Sequence, residues 1–554
     1  MTAPRFVGKL RPTQIVTTFG PGAIVDLPTR SVVVAGLEWW SGGASIYEPR
    51  LQNLLGVDEL RRPPRPAKGG FVPCLEFPRW QVCGRDGRML RGQGCPEHRF
   101  DAIYPARLIQ ACPKGHLDEF PWGWWLHRGA QCPGDLRLSA GGRSATLADL
   151  VLRCTGCGRE RSLAGATSDR LGIRCQGRRP WLRTDDTTCD ADPRGMLRGA
   201  SNVYFPLAIS ALSIPPWTNP VQEKINPVWN LIADKSELDL RQIHALMFQN
   251  FSLDLFLEAV ATRRGITAKA SPQSLKAEEF RAIASGSAQS DSEFQVSSVQ
   301  EPGNQVGLVG VRRIDRLREV VALKAFTRID YPDRGSTVAV NEAPLASVAV
   351  DWRPAVENRG EGLFLMFDSA ALAKWGATDH PSAIARSVEA AFHEWRTARG
   401  LGPATPPTPA AIYLHSLSHL LIRQLSLDSG YSSSSLRERL YSEGDAAGIL
   451  IYTASSDSDG SLGGLVAQSR PSRLGPLLEQ ALAAATVCSS DPLCSERQPR
   501  GGHLSAAACH ACLLIPETSC ELGNRFLDRG FLVELQGITS RAFPSWRAPI
   551  VASG

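Results

Sequence analysis

Cysteine placement constrains this chain more than any other feature. Of its fourteen cysteines, five fall between residues 488 and 520, and the other nine between 74 and 189. The last cluster contains the run ACHACLLIPETSC. Cys509 and Cys512 stand on a C-x2-C knuckle, Pro516 marks a bend, and Cys520 follows. A fourth sulfur is available upstream, from either Cys494 or Cys488. Four thiolates converging from short loops are what tetrahedral zinc takes in a closed structural site. Free cysteine is among the most buried residue types, but scattered apolar cysteines rarely reach this density around a knuckle.

Two further zinc sites are expected upstream. Cys154-x2-Cys157 is followed by Cys175 and Cys189, and Gly158 after the knuckle lets backbone N–H groups turn toward sulfur. Cys83, Cys95 and His98 supply three ligands of another set. There Asp86 stands where a knuckle's second cysteine would be, so the fourth ligand is Asp86 or Cys112. The expectation is therefore two or three structural Zn2+ ions. Cys112, His116, His127 and Cys132 could form one more site. The surrounding run ACPKGHLDEFPWGWWLH reads more readily as an apolar wall, with Trp122, Trp124 and Trp125 as anchors.

His415 and His419 are four residues apart on the apolar run YLHSLSHLLIRQL, hence on one helix face. HSLSH lacks the Glu that serves as base in H-E-x-x-H, so two core histidines are expected. The competing reading joins them to Asp457 and Asp459 as the catalytic metal site of a zinc-dependent hydrolase or nuclease. DSDG at 457–460 is not a calcium loop, because the twelfth position is Gln468 rather than Glu. FGPGAI near the N-terminus lacks the GK[ST] ending of a phosphate loop, and no kinase or nucleophile-elbow signature appears.

At 554 residues, length suggests two to four domains, and 43% apolar with 21% charged residues is ordinary for a globular protein. A net charge of +6 is too small to argue for nucleic acid by itself. Arginines do concentrate at the knuckles, and Arg159, Arg161, Arg178 and Arg179 beside Trp181 are candidates for DNA contact. MTAPRFVGKLRPTQ has no apolar signal core, and no run of 18 apolar residues occurs. A cytoplasmic protein without a membrane association is expected, and in a reducing compartment cysteines favour metal over disulfide.

The fold expected is α+β and multidomain. Zinc-ribbon-like β-knuckles would occupy 1–200, a helical segment and mobile linker 201–305, and an α/β domain closed by the four-cysteine zinc site 306–554. Within the last, PSAIARSVEAAFHEWRTARG and AAIYLHSLSHLLIRQL have helical periodicity, and GLFLMFD and GILIYTA read as strands.

The runs LRPTQIVTTFGPGAIVDLP, FPRW, CPKGHLDEFPW, LRGASNVYFP, LREVVALKAFTRI and ACHACLLIPETSCELGNRFLDR carry a resemblance. Together the chain resembles the DrmB family of the DISARM antiphage defence system. From about residue 306 it is also similar to the C-terminal domain of MrfA-type helicases. In that domain a four-cysteine zinc site ends in a C-x2-C…C-G-N pattern, onto which Cys509, Cys512 and Cys520 map, with Gly523-Asn524 slightly displaced. Cys494 is taken as the fourth ligand because it is nearer, with Cys488 the alternative. The resemblance implies a non-catalytic subunit that pairs, as a heterodimer, with a DrmA-like helicase or ATPase. The pair would engage DNA with a single-stranded 5′ end.

Overall fold

Short apolar runs broken by Gly and Pro build the sheets of the N-terminal half, and long alternating runs build those of the C-terminal half. The computed structural model describes residues 10–543 apart from 28–29, 42, 65–71, 93, 99–102, 141–145, 169–170, 186–188, 266–270, 287–290, 292, 301–306, 333–340 and 454–462. The chain forms two compact units. Met1–Ile46, Val57–Ile209 and Val321–Val356 make the first; Tyr47–Gly56, Ser210–Val320 and Glu357–Gly554 make the second. The architecture is mixed α and β. Its units do not follow the expected cuts at 200 and 305, because residues 321–356 belong to the first and 210–320 to the second. The boundaries fall inside two long paired strands, Leu308–Thr327 and Trp352–Phe367. Strand pairing is non-local, so sequence order does not decide where each part packs.

The first unit consists of small antiparallel sheets. Ser31–Val34 lies between Ile24–Asp26 and Cys74–Glu76, Trp80–Cys83 between Met89–Arg91 and Ile103–Pro105, and Leu108–Ala111 between Leu117–Glu119 and Arg194–Leu197. Leu150–Cys154 pairs Leu136–Ala140 on one side and Glu160–Ser162 on the other. One apolar cluster gathers Val33, Ile109, Trp181, Leu323, Phe326 and Trp352. Another gathers Leu108, Phe120, Trp122, Trp125 and Leu152. In the first of these neighbourhoods sits Arg328, at 0% exposure. Its Nε donates to the Gly115 carbonyl at 2.9 Å, Nη1 to Val203 at 2.6 Å and Nη2 to Gly22 at 2.8 Å. The guanidinium also lies near the Trp181 and Phe326 rings. The GPG turn is thus a backbone acceptor for a buried cation. Gly22 has φ +86°, and a Cβ there would collide with Phe326, so only glycine serves.

In the second unit Gln295–Val299 pairs with the 311–316 part of the first long strand, and the 362–366 part of the second pairs with Gly448–Thr453, which pairs in turn with Leu436–Tyr441, all antiparallel. Alternation sorts the two faces of these strands. Leu363, Leu365, Ile449, Ile451, Leu436 and Leu440 pack with the helices Asp379–Thr397, Pro409–Asp428 and Pro471–Ala485. Phe364, Leu450, Tyr441 and Tyr452 face the other way, toward Ala282 and Ile283 of the helix Pro272–Ala284. That helix lies within the stretch expected to be a mobile linker. Its Ser271 cap accepts from the Ser274 N–H, Pro272 opens it, and Leu275, Glu279, Ala282 and Ile283 form one buried face. The Ser- and Ala-rich composition concealed that period.

The second face is also where charge is buried. Glu279 receives both Nε and Nη2 of Arg439 at 2.6 and 2.9 Å, and the Leu212 N–H at 2.9 Å. Glu319 receives Arg437, Asn358 and Tyr452 at 3.0, 3.1 and 2.8 Å. Burial by itself would raise the Glu319 pKa; the Arg437 charge and these hydrogen bonds outweigh it and hold it below the usual range.

Two outcomes follow. Replacing Arg328 with Met leaves three buried carbonyls without donors, at about 1–3 kcal/mol each, so denaturant unfolding should show a loss of more than about 3 kcal/mol. Because the Glu319 pKa is depressed on folding, its contribution is present above the ordinary Glu value of 4.5 and is lost as pH falls through the lower folded value. Glu319→Gln should therefore weaken the protein at neutral pH and flatten the acid limb of stability against pH.

Candidate metal centres

Thirteen of the fourteen cysteines, all but Cys74, meet with five histidines and two carboxylates in groups of four donors. Each group spans no more than 4.8 Å between ligand atoms. Hairpin geometry explains the partners. Leu136 pairs with Cys154 across the hairpin, so the chain just before the first strand meets the turn just after the second. That turn holds Cys157, and His127 and Cys132 are brought to it. The Cys132 and Cys154 sulfurs are 3.4 Å apart, and His127 Nδ1 is 3.9 Å from Cys157 Sγ. His127 itself ends the short helix Trp122–His127, which buries Trp122 and Trp125. The Trp-rich run is thus both a wall and a ligand carrier.

The next group encloses that one in sequence. Arg194 pairs with Ala111, which brings the segment before Arg194 to Cys112. Cys112, His116, Cys175 and Cys189 converge there, with Cys112 Sγ 3.3 Å from His116 Nδ1 and 4.0 Å from Cys189 Sγ. The expected set Cys154, Cys157, Cys175 and Cys189 is therefore not brought together. It divides between two groups, because the strands that deliver its halves belong to different sheets.

Cys83, Asp86, Cys95 and His98 do come together, with His98 Nδ1 3.3 Å from both sulfurs. Asp86 takes the fourth position, and Cys112 is engaged elsewhere. Near the C-terminus, Cys488, Cys494, Cys509 and Cys512 converge, with sulfur separations of 3.4 to 3.7 Å. Both upstream alternatives are in this group and Cys520 is not. Asp491 positions the connecting turn: it accepts the Cys488 and Ser495 N–H groups and pairs with buried Arg529 at 2.7 and 2.8 Å. Cys520 lies instead with His415, His419 and Glu438. Asp457 and Asp459 lie outside the described residues.

These groups fit zinc by their own dimensions. A Zn–S bond of about 2.3 Å implies sulfurs about 3.8 Å apart at the corners of a tetrahedron, close to the separations seen and far from the roughly 2.05 Å of a disulfide. All the cysteines are free thiols. Crowding divides the thiols unequally: hydrogen bonding from Cys494 holds Cys512 down to about 5 while the same contact pushes Cys494 up, and Cys112 holds Cys175 down to about 4 while being pushed up itself. Partly ionised sulfur clusters suit a divalent cation.

The candidate DNA-contacting arginines have intramolecular roles. Arg159 donates to the His127 carbonyl at 3.1 Å, and Arg161 donates to Trp125 at 3.0 Å with its guanidinium 4.0 Å from the Trp125 ring centre. Arg178 pairs with Asp118 at 3.2 Å, and Arg179 lies in the two-residue strand paired with Thr184–Asp185. Arg159 and Arg178 remain exposed. Among the described residues, no helix is long and apolar enough to cross a membrane.

A family model for a domain of unknown function (DUF8724) matches residues 11–205, and the MrfA Zn-binding domain matches residues 417–513. The latter spans Cys488, Cys494, Cys509 and Cys512 and stops short of Cys520. The DISARM protein DrmB of Bacillus paralicheniformis is 31% identical over 553 residues, covering 92% of this chain and 98% of that relative. The crystal structure of the DUF1998 helicase MrfA bound to DNA is similar at 12% identity with a TM-score of 0.20, over 40% of this chain and 24% of that one. A likeness that slight carries no structural argument.

The regrouping makes a direct prediction for zinc content. Cys154→Ser and Cys175→Ser should each remove one ion per chain, and the double variant two, by elemental analysis of purified full-length protein. A single site built from both residues would lose only one ion in the double variant.

Proposed function

The chain belongs to the DrmB family of DISARM proteins, and on that premise we propose that it is a zinc-bearing, non-catalytic subunit of an antiphage complex. It pairs as a heterodimer with a DrmA-like helicase or ATPase in the cytoplasm and helps that partner hold DNA with a single-stranded 5′ end. The observation that carries this reading is identity to a DISARM DrmB across nearly the full length of both chains.

The site chemistry supports it. Each Cys-rich group presents four protein donors to one point, which is the arrangement of a structural ion; a catalytic zinc keeps a position open for water. In this reading four ions, rather than two or three, hold the small β-knuckles and the C-terminal segment. Cys83, Asp86, Cys95 and His98 bind one. Cys112, His116, Cys175 and Cys189 bind a second, and His127, Cys132, Cys154 and Cys157 a third. Cys488, Cys494, Cys509 and Cys512 bind the last. The sequence also lacks a phosphate-loop motif, so ATP turnover belongs to the partner. DNA phosphates are met by the exposed guanidinium groups of Arg159 and Arg178, each of which uses only part of its five donors internally, with Arg161 and Arg179 beside them.

The test combines purified chain, purified helicase partner and labelled DNA carrying a 5′ single-stranded end. The chain alone should show neither ATP hydrolysis nor DNA cleavage, should co-purify with the partner at one to one, and should tighten the partner's hold on DNA. Cleavage by the lone chain, or failure to associate, would overturn the proposal.

A further inference from the structure

Cys520, His415, His419 and Glu438 form a four-donor group unlike the others: it mixes two imidazoles, one carboxylate and one thiol, and all four side chains are buried. It arises where the sheet's alternation is broken. Leu436, Glu438 and Leu440 share the face that packs under the helix Pro409–Asp428. Arg437 and Arg439 point the opposite way, to Glu319 and Glu279. A carboxylate therefore stands on an apolar face, and among the described residues only His415 and His419 lie within ion-pair reach of it.

The hydrogen bonds show which atoms face the centre. His419 Nδ1 donates to the Leu513 carbonyl at 2.9 Å, so in the neutral ring the Nε2 lone pair points inward. That Nε2 has no hydrogen-bond partner, and it faces Glu438 Oε1 at 3.5 Å. Two acceptors so placed in a dry interior repel unless a proton or a metal cation lies between them. Glu438 is already oriented: Oε1 accepts the Glu521 N–H at 3.0 Å, and Oε2 accepts the Ser418 hydroxyl. Cys520 Sγ accepts the Asn524 N–H at 3.1 Å. His415 Nε2 lies 3.2 Å from both Cys520 Sγ and Glu438 Oε1. Bonds of about 2.0–2.3 Å to zinc imply donors roughly 3.3–3.8 Å apart, near the separations found here. A purely protonic network could satisfy His415 and Glu438 as a buried pair. To satisfy His419 as well it would need a second proton on Nε2, aimed over 3.5 Å at the same Glu438 oxygen that the Glu521 N–H and His415 already approach.

We propose that His415, His419, Glu438 and Cys520 bind a zinc ion in a closed structural site distinct from the four-cysteine centre. Glu438 and a Cys520 thiolate together neutralise the divalent cation, so the buried centre carries no net charge. The ion ties the helix, the Leu436–Tyr441 strand and the Cys520 loop together. Outer partners hold three of the four ligands as metal ligands are usually held. With every position taken by protein, the site has no place for substrate or water. The inference is independent of the proposed function, because it concerns the interior of this chain whatever it partners.

Anomalous diffraction at the zinc edge, from crystals of the full chain grown without chelator, tests it directly. A peak bonded to both Nε2 atoms, Glu438 oxygen and Cys520 sulfur is expected, beside the peak at the four-cysteine centre. Density at the latter with none at the former would overturn the proposal. As a second measurement, Glu438→Gln and Cys520→Ser should each contain one zinc fewer per chain than the natural protein. A folded variant that keeps the full zinc content would also overturn it. Should both variants fail to fold, the diffraction result on the natural chain decides.

Discussion

Strands of two to five residues cannot hold a sheet in water by themselves, and the first unit is made largely of such strands. Its order depends on what joins their ends. Donor groups close the turns after Cys83, Cys112 and Cys154, and each draws its ligands from two separate segments. Arg328 performs a related task with a different chemistry. One planar cation meets three carbonyls from segments far apart in sequence, beside the two aromatic rings of Trp181 and Phe326. A guanidinium suits this role because its donors are fixed in a plane and point in several directions.

The second unit relies on long strands and wide apolar faces instead, and there polar groups specify register. Along Leu436–Tyr441 the two arginines meet buried carboxylates on one face, while Glu438 meets two histidines on the other. A slip of one residue would place Arg437 and Arg439 against the apolar helices and take from Glu279 and Glu319 the cations that neutralise them. Breaking a buried pair costs about 3–5 kcal/mol, so this strand has one acceptable register. The same alternation delivers Glu438 to the face where His415, His419 and Cys520 wait.

Local periodicity was the readable part of the fold. The helices around residues 379–397 and 409–428 and the strands at Ser31–Val34 and Gly448–Thr453 all follow from spacing and turn residues. The helix Pro272–Ala284 was hidden by its composition, although Ser271 and Pro272 are ordinary start signals. Reading Leu136–Ala140 and Leu150–Cys154 as a hairpin would also have brought Cys132 to Cys154 and Cys157.

Linear order was enough to indicate the family and the mixed α and β character and to single out the cysteine knuckles. But it read Cys112, His116, His127 and Cys132 as an apolar wall and His415 and His419 as core residues, and it passed over Glu438. A C-x2-C knuckle keeps its two sulfurs close in any fold, because two residues cannot separate them. Which knuckle meets which distant ligand was settled in three dimensions. The sets 112–116 with 175–189 and 127–132 with 154–157 are nested in the chain, and linear spacing treats nested and adjacent pairings alike. Strand register separates them. The same reason sent Cys520 to the histidines and Cys488 to the knuckle: ligands far apart in sequence are matched by the sheets and helices that carry them.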